Sequence, residues 1–114
     1  MRKGVPDRGD ILLIDLEPTR GREPRGRRYV VVLTLAEFNR LGLLLVAPIT
    51  QGGGFAQEHG FAVSLMVTGT KTRGFVLCHQ VRMIDHAERG IRTVERLPAP
   101  LVDEVLARVR TLLD

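Results

Sequence analysis

The 114-residue chain carries a single cysteine, Cys78. It therefore has no internal disulfide framework, and a reducing, intracellular setting is expected. No apolar run approaches the roughly 20 residues that cross a bilayer. The opening Met1-Arg2-Lys3-Gly4-Val5-Pro6-Asp7-Arg8 has no apolar segment behind its charges. A soluble, cytoplasmic protein with no membrane partner is expected. Internal repeats, low-complexity tracts and linkers are absent, and 12 glycines with 6 prolines are ordinary usage, which excludes disordered and collagen-like classes. His59, His79, His86 and Cys78 form no set with metal-ligand spacing, so neither a metal nor another cofactor is expected. Gly52-Gly53-Gly54 and Gly69-Thr70-Lys71-Thr72 lack the Gly-Lys-Ser/Thr order of a phosphate-binding loop, which argues against nucleotide hydrolysis.

What is present suits one foldable domain spanning residues 1–114, with 44% hydrophobic residues. A chain this short buries only about 60–70% of its unfolded surface, so a partner surface would help it. Its 17 basic and 13 acidic residues sum to +4. The charge is concentrated: Arg20, Arg22, Arg25, Arg27 and Arg28 stand together with one acid, Glu23. Gly21, Pro24 and Gly26 make this segment a loop, and arginine forks suit phosphate oxygens.

Bounded apolar and β-branched runs predict strands over Asp10–Leu16, Tyr29–Thr34, Leu43–Thr50, Phe61–Leu65, Gly74–Ile84 and Ile91–Val94, with a brief helical turn over Ala36–Leu41. Pro48 is expected at an edge or bulge. From Leu101 the apolar positions follow a 3.6-residue period, with Asp103 and Glu104 in the first turn of the expected helix. Short strands followed by one helix predict a small, strongly curved antiparallel barrel or sheet.

Cys78 and His79 are neighbours in an expected strand, so they face apart and make no nucleophile–base pair. Arginines, hydroxyls, carboxamides and a few titratable groups remain, and these suit RNA cleavage without metal. There a 2′-OH attacks the adjacent phosphate while one group takes its proton, another protonates the leaving oxygen and a cation stabilises the phosphorane. Glu23, among arginines, is expected to be ionised. His79 titrates near neutrality by default.

Gly9-Asp10-Ile11, Pro18-Thr19-Arg20-Gly21-Arg22-Glu23 and Gly26-Arg27-Arg28-Tyr29-Val30-Val31-Val32-Leu33 resemble the opening of the MazF/PemK toxin family. Phe38-Asn39-Arg40, Val46-Ala47-Pro48-Ile49-Thr50-Gln51-Gly52-Gly53, Gly60-Phe61-Ala62-Val63-Ser64-Leu65 and Gln80-Val81-Arg82-Met83-Ile84-Asp85 continue the resemblance in order, most like its ChpB and PemK branches. The resemblance implies an SH3-like antiparallel barrel with a C-terminal packing helix. It also implies a homodimeric, sequence-specific endoribonuclease toxin that cuts single-stranded RNA to 2′,3′-cyclic phosphate and 5′-hydroxyl ends, and a cognate antitoxin. It places Arg28 and Thr50 at the scissile phosphate and matches Glu23 to the family's loop glutamate. His79 is the further catalytic candidate. Arg20, Arg22, Arg25, Arg27, Gln51, Phe55 and Gln80 are the RNA-binding candidates. Two departures stand out: Arg22 where PemK-type toxins have histidine, and Leu77-Cys78-His79 where they have Arg-Cys-Asp. The alternatives are a CcdB-like toxin that binds a topoisomerase without catalysis, and an inactive RNA-binding module.

Overall fold

A computed structural model describes residues 4–16, 26–52, 59–66 and 68–114. Its apolar runs form antiparallel strands β1 (Asp10–Asp15), β2 (Arg27–Val32), β3 (Leu43–Thr50), β4 (Ala62–Ser64), β5 (Phe75–Leu77), β6 (Arg82–Asp85) and β7 (Ile91–Arg96). A single helical turn, α1 (Ala36–Asn39), precedes β3, and α2 (Ala99–Arg110) follows β7. Hydrogen bonding runs β4-β5-β3-β2-β1-β7, with β6 also paired to β3. The antiparallel β architecture with a C-terminal packing helix is thus what the sequence leads one to expect.

Val30, Val31 and Val32 are all fully buried, although successive strand residues face opposite ways. Both faces of the sheet are therefore covered. On one, Ile11, Val31, Ala47, Ile49, Val63 and Val76 pack beneath Val102 and Val105 of α2. On the other, Leu12, Ile14, Leu16, Val30, Val32, Val46 and Ile84 form an inner cluster.

Three local expectations change. Gly74–Ile84 is not one strand: it breaks at Cys78-His79-Gln80, where Gln80 N–H bonds to Leu77 C=O at 3.2 Å. The cause lies in β3, whose first half pairs with β6 (Leu43–Val46) and whose end pairs with β5 (Ile49, Thr50). The chain must cross between the two, and His79 sits in that crossing. Pro48 lies inside the sheet, opposite Val30, at the gap between those two partners, where its missing N–H leaves no ladder position empty. Finally, α2 begins at Ala99, because Pro98 caps it and Pro100 fits the first turn. Asp103 and Glu104 therefore stand in its second turn, where Glu104 meets Arg108 at 2.9 Å.

The sheet is rolled. Arg82 stands opposite Val46, and Val46 opposite Val32. On a flat sheet three strand spacings and six residues would separate Arg82 from Leu16, about 24 Å. Its Nη1 instead donates to Leu16 C=O at 3.1 Å. The two ends of the hydrogen-bonded path also meet, through a side chain. The Glu95 carboxylate on β7 accepts from Lys71 N–H (3.0 Å), Thr72 N–H (2.7 Å) and Thr72 Oγ1 (2.7 Å), in the connection between β4 and β5. This seam closes the barrel where no backbone ladder does among the described residues.

Burial pushes the Glu95 pKa up, but the Thr72 hydroxyl, the two backbone N–H groups and the Lys71 charge outweigh it and hold it below the ordinary carboxylate value. A depressed folded pKa adds stability above the unfolded value, and this is lost as pH falls through the folded one. Glu95→Gln should therefore cost about 2 kcal/mol at pH 7. The gap from wild type should shrink towards zero on acidification, read from urea unfolding between pH 7 and pH 3.

Candidate functional site

The register assembles a row of side chains across the sheet. Ser64 stands opposite Phe75, Phe75 opposite Thr50, and Arg28 opposite Ile14. Val30 lies opposite Pro48, the last β2–β3 pair, and Arg28 and Thr50 each stand two residues beyond it at the same end of the sheet. Ser64, Phe75, Thr50 and Arg28 then follow one another on the face of the inner cluster. There the apolar cover gives out, and all four are half-exposed. Two sequence candidates 22 positions apart thus share one row, and Arg27 flanks them, exposed, opposite Asp15.

The end of β3 is held in place. Thr50 Oγ1 accepts from Gly52 N–H at 3.4 Å, and Gln51 Nε2 donates to Arg73 C=O at 3.0 Å. Gly74 has φ +115°, and a Cβ there would lie 2.3 Å from the Thr50 carbonyl oxygen. Glycine is thus what lets β5 close on Thr50. Two depressions flank Gln51. One, of about 240 Å³, is lined by Tyr29, Lys71, Thr72, Arg73 and Val94. The other, of about 180 Å³, is lined by Leu65, Met66, Arg73, Gly74 and Phe75. Sequence reasoning missed Lys71, Arg73 and Phe75, which no local motif marks.

His79 is placed by other contacts. Its ring stacks on Phe61, with centroids 5.4 Å apart and planes at 25°. Burial there lowers its pKa, which favours the neutral imidazole at pH 7. Gln80 follows it, half-exposed. Cys78 is fully buried, and burial pushes its thiol up to about 11, against a smaller opposing pull from Arg108. Arg20, Arg22, Glu23, Arg25 and Phe55 lie outside the described residues. Among the described residues no three His, Cys, Asp or Glu side chains group as a metal site, and no helix is long and apolar enough to cross a membrane.

Residues 7–113 match a family described as the PemK-like, MazF-like toxin of type II toxin-antitoxin systems. The chain belongs to this toxin family. It is 47% identical over 113 residues to the endoribonuclease PemK of Escherichia coli, covering 98% of this chain and 85% of that one. The crystal structure of MazF from Deinococcus radiodurans superposes with a TM-score of 0.86 at 30% identity, covering 97% and 98% of the two chains. A MazE-MazF complex from the same organism superposes at 0.81 and 30% identity, over 96% and 97%. Within the PemK/MazF-like fold, the Arg28–Thr50 row is set where β2 and β3 outrun their apolar cover.

Proposed function

We propose that this PemK/MazF-like toxin is an endoribonuclease that cleaves single-stranded RNA without a metal ion. The observation that carries the reading is the Arg28–Thr50 row, half-exposed beside Phe75, in a chain 47% identical to a relative named an endoribonuclease. Arg28 stabilises the phosphorane, because a guanidinium is always charged and forks onto two oxygens. Thr50 hydrogen-bonds the phosphate. The 2′-oxygen attacks phosphorus and the bond to the 5′-oxygen breaks, leaving a 2′,3′-cyclic phosphate and a 5′-hydroxyl. Glu23 or His79 moves the protons. The neutral imidazole favoured by burial fits the base, taking the 2′-hydroxyl proton. Arg20, Arg22, Arg25 and Arg27 hold the RNA backbone, with Gln51, Gln80 and Phe55 against bases. Residues 1–114 work as one toxin domain, as a homodimer in the cytoplasm, neutralised by a cognate antitoxin.

Val102 and Val105 of α2 pack on the core, while Leu112 and Leu113 just beyond it are exposed, so RNA cleavage, not the helix, separates this reading from a toxin whose C-terminal helix binds a topoisomerase. The test is to incubate the protein with EDTA and a long mixed-sequence RNA, and to map cut sites and end chemistry. Discrete cuts ending in cyclic phosphate are expected. His79→Ala should slow them by about 10²–10⁴-fold and flatten one limb of the pH–rate profile. Intact RNA from folded protein free of antitoxin would falsify the proposal.

A further inference from the structure

We propose that Arg82 is a positioning residue for this site: it anchors the end of β1 at the root of the arginine-rich segment and so fixes Arg28 relative to Thr50. The inference rests on the nuclease reading above. Leu16 is the last described residue before that segment and Gly26 the first after it. The two are tied by Leu16 N–H to Gly26 C=O at 2.9 Å, with Gly26 at φ +68°. Two residues on from Gly26 is Arg28. The other side of Leu16, its carbonyl, is held by Arg82 Nη1 at 3.1 Å. Arg89 Nη1 grips the carbonyl just before it, that of Asp15, at 2.6 Å.

The two grips differ in what they connect. Arg89 arrives from the loop after β6, in an exposed contact. Arg82 belongs to β6 itself, opposite Val46 of β3, the strand that ends in Thr50. Its half-buried side chain lies on the same face as Arg28 and Thr50 and crosses the rolled sheet from the β3 side to the β1 side. One guanidinium therefore ties β6, the partner of the strand that carries Thr50, to the neck that leads to Arg28. The catalytic row depends on β2 and β3 keeping register two residues beyond their last paired positions, Val30 and Pro48. An external tie at that end holds together the stretch where β2 and β3 no longer pair with each other. A misplacement of about 1 Å in such a constellation costs on the order of 10²-fold in rate.

The experiment compares wild type, Arg82→Met and Arg82→Lys on a defined RNA oligonucleotide that contains one mapped cut site. Lysine keeps a donor of nearly the same reach for the Leu16 carbonyl and methionine keeps only the stem. Arg82→Met should lower kcat about 30–100-fold with KM within threefold. Arg82→Lys should recover to within about fivefold of wild type. The slope of log RNA affinity against log salt should stay unchanged in both. A slope flattened by about 0.7 in Arg82→Met would mean that Arg82 contacts phosphate itself, and would overturn the proposal. So would Arg82→Met retaining wild-type kcat. Hydrogen exchange at the Leu16 amide gives a readout free of activity: it should quicken at least tenfold in Arg82→Met, and unchanged exchange would refute the anchor. A wild type inert on RNA would overturn the nuclease reading alone, with the exchange arm still deciding whether Arg82 holds the neck.

Discussion

Arg28→Ala is expected to lower RNA cleavage by about 10²–10⁴-fold while the protein stays folded. Arg28 is half-exposed at the rim of the inner cluster, so losing its stem removes little apolar contact. Arg28 stands on the face of the inner cluster, as Thr50 does, two residues beyond the last β2–β3 pair. The loss should fall on kcat, because the phosphorane carries more charge than the ground-state phosphate and gains more from the guanidinium. Arg28→Lys should recover only part of the rate, since an ammonium keeps the charge and gives up the two-oxygen fork. Single-turnover cleavage of one oligonucleotide, beside a urea melt of each variant, separates the two effects. A variant that melts early and cuts at the wild-type rate per folded molecule would place Arg28 in the structure and not in the chemistry.

The second large effect is expected at a residue with no side chain. Gly74→Ala should destabilise the protein by about 3 kcal/mol. The new methyl would stand 2.3 Å from the Thr50 carbonyl oxygen and 3.0 Å from its carbon, on a backbone at φ +115° that alanine seldom adopts. The obstacle is backbone, so no rotamer change relieves it. Either β5 retreats from β3 or Thr50 moves. The pairs Ile49–Val76 and Thr50–Phe75 are at stake in both cases, and with them the row that ends in Arg28. The urea midpoint should fall, and cleavage by the remaining folded fraction should fall further. A change below about 1 kcal/mol would show that β5 slides on β3 with little resistance.

These residues also show what was legible beforehand. The strand Leu43–Thr50 could be read to the residue, because its apolar run is bounded by Gly42 on one side and Gln51-Gly52 on the other. Arg28 and Thr50 were legible as residue types in family-like blocks. Their juxtaposition was not, since it follows from the β2–β3 register. His79 was expected in a strand and stands in a turn, because β3 changes partner along its length and no local pattern reports this. The Glu95–Thr72 seam joins residues 23 positions apart, and Arg82 reaches Leu16 across 66. Both depend on how far the sheet rolls, which is set by packing on two faces at once and leaves no periodicity in the chain.

The first strand has the last as one of its two neighbours. Asp10, almost fully buried, pairs with Arg96, 86 positions later. At about 5–20 residues per second, translation leaves β1 half-partnered for roughly 4–17 s. Glu95, which closes the other side of the barrel, is delivered at the same late moment. Both closures of the rolled sheet therefore wait on one strand: until β7 is available, β1 keeps an open edge and the Lys71-Thr72 turn has no carboxylate to hold it.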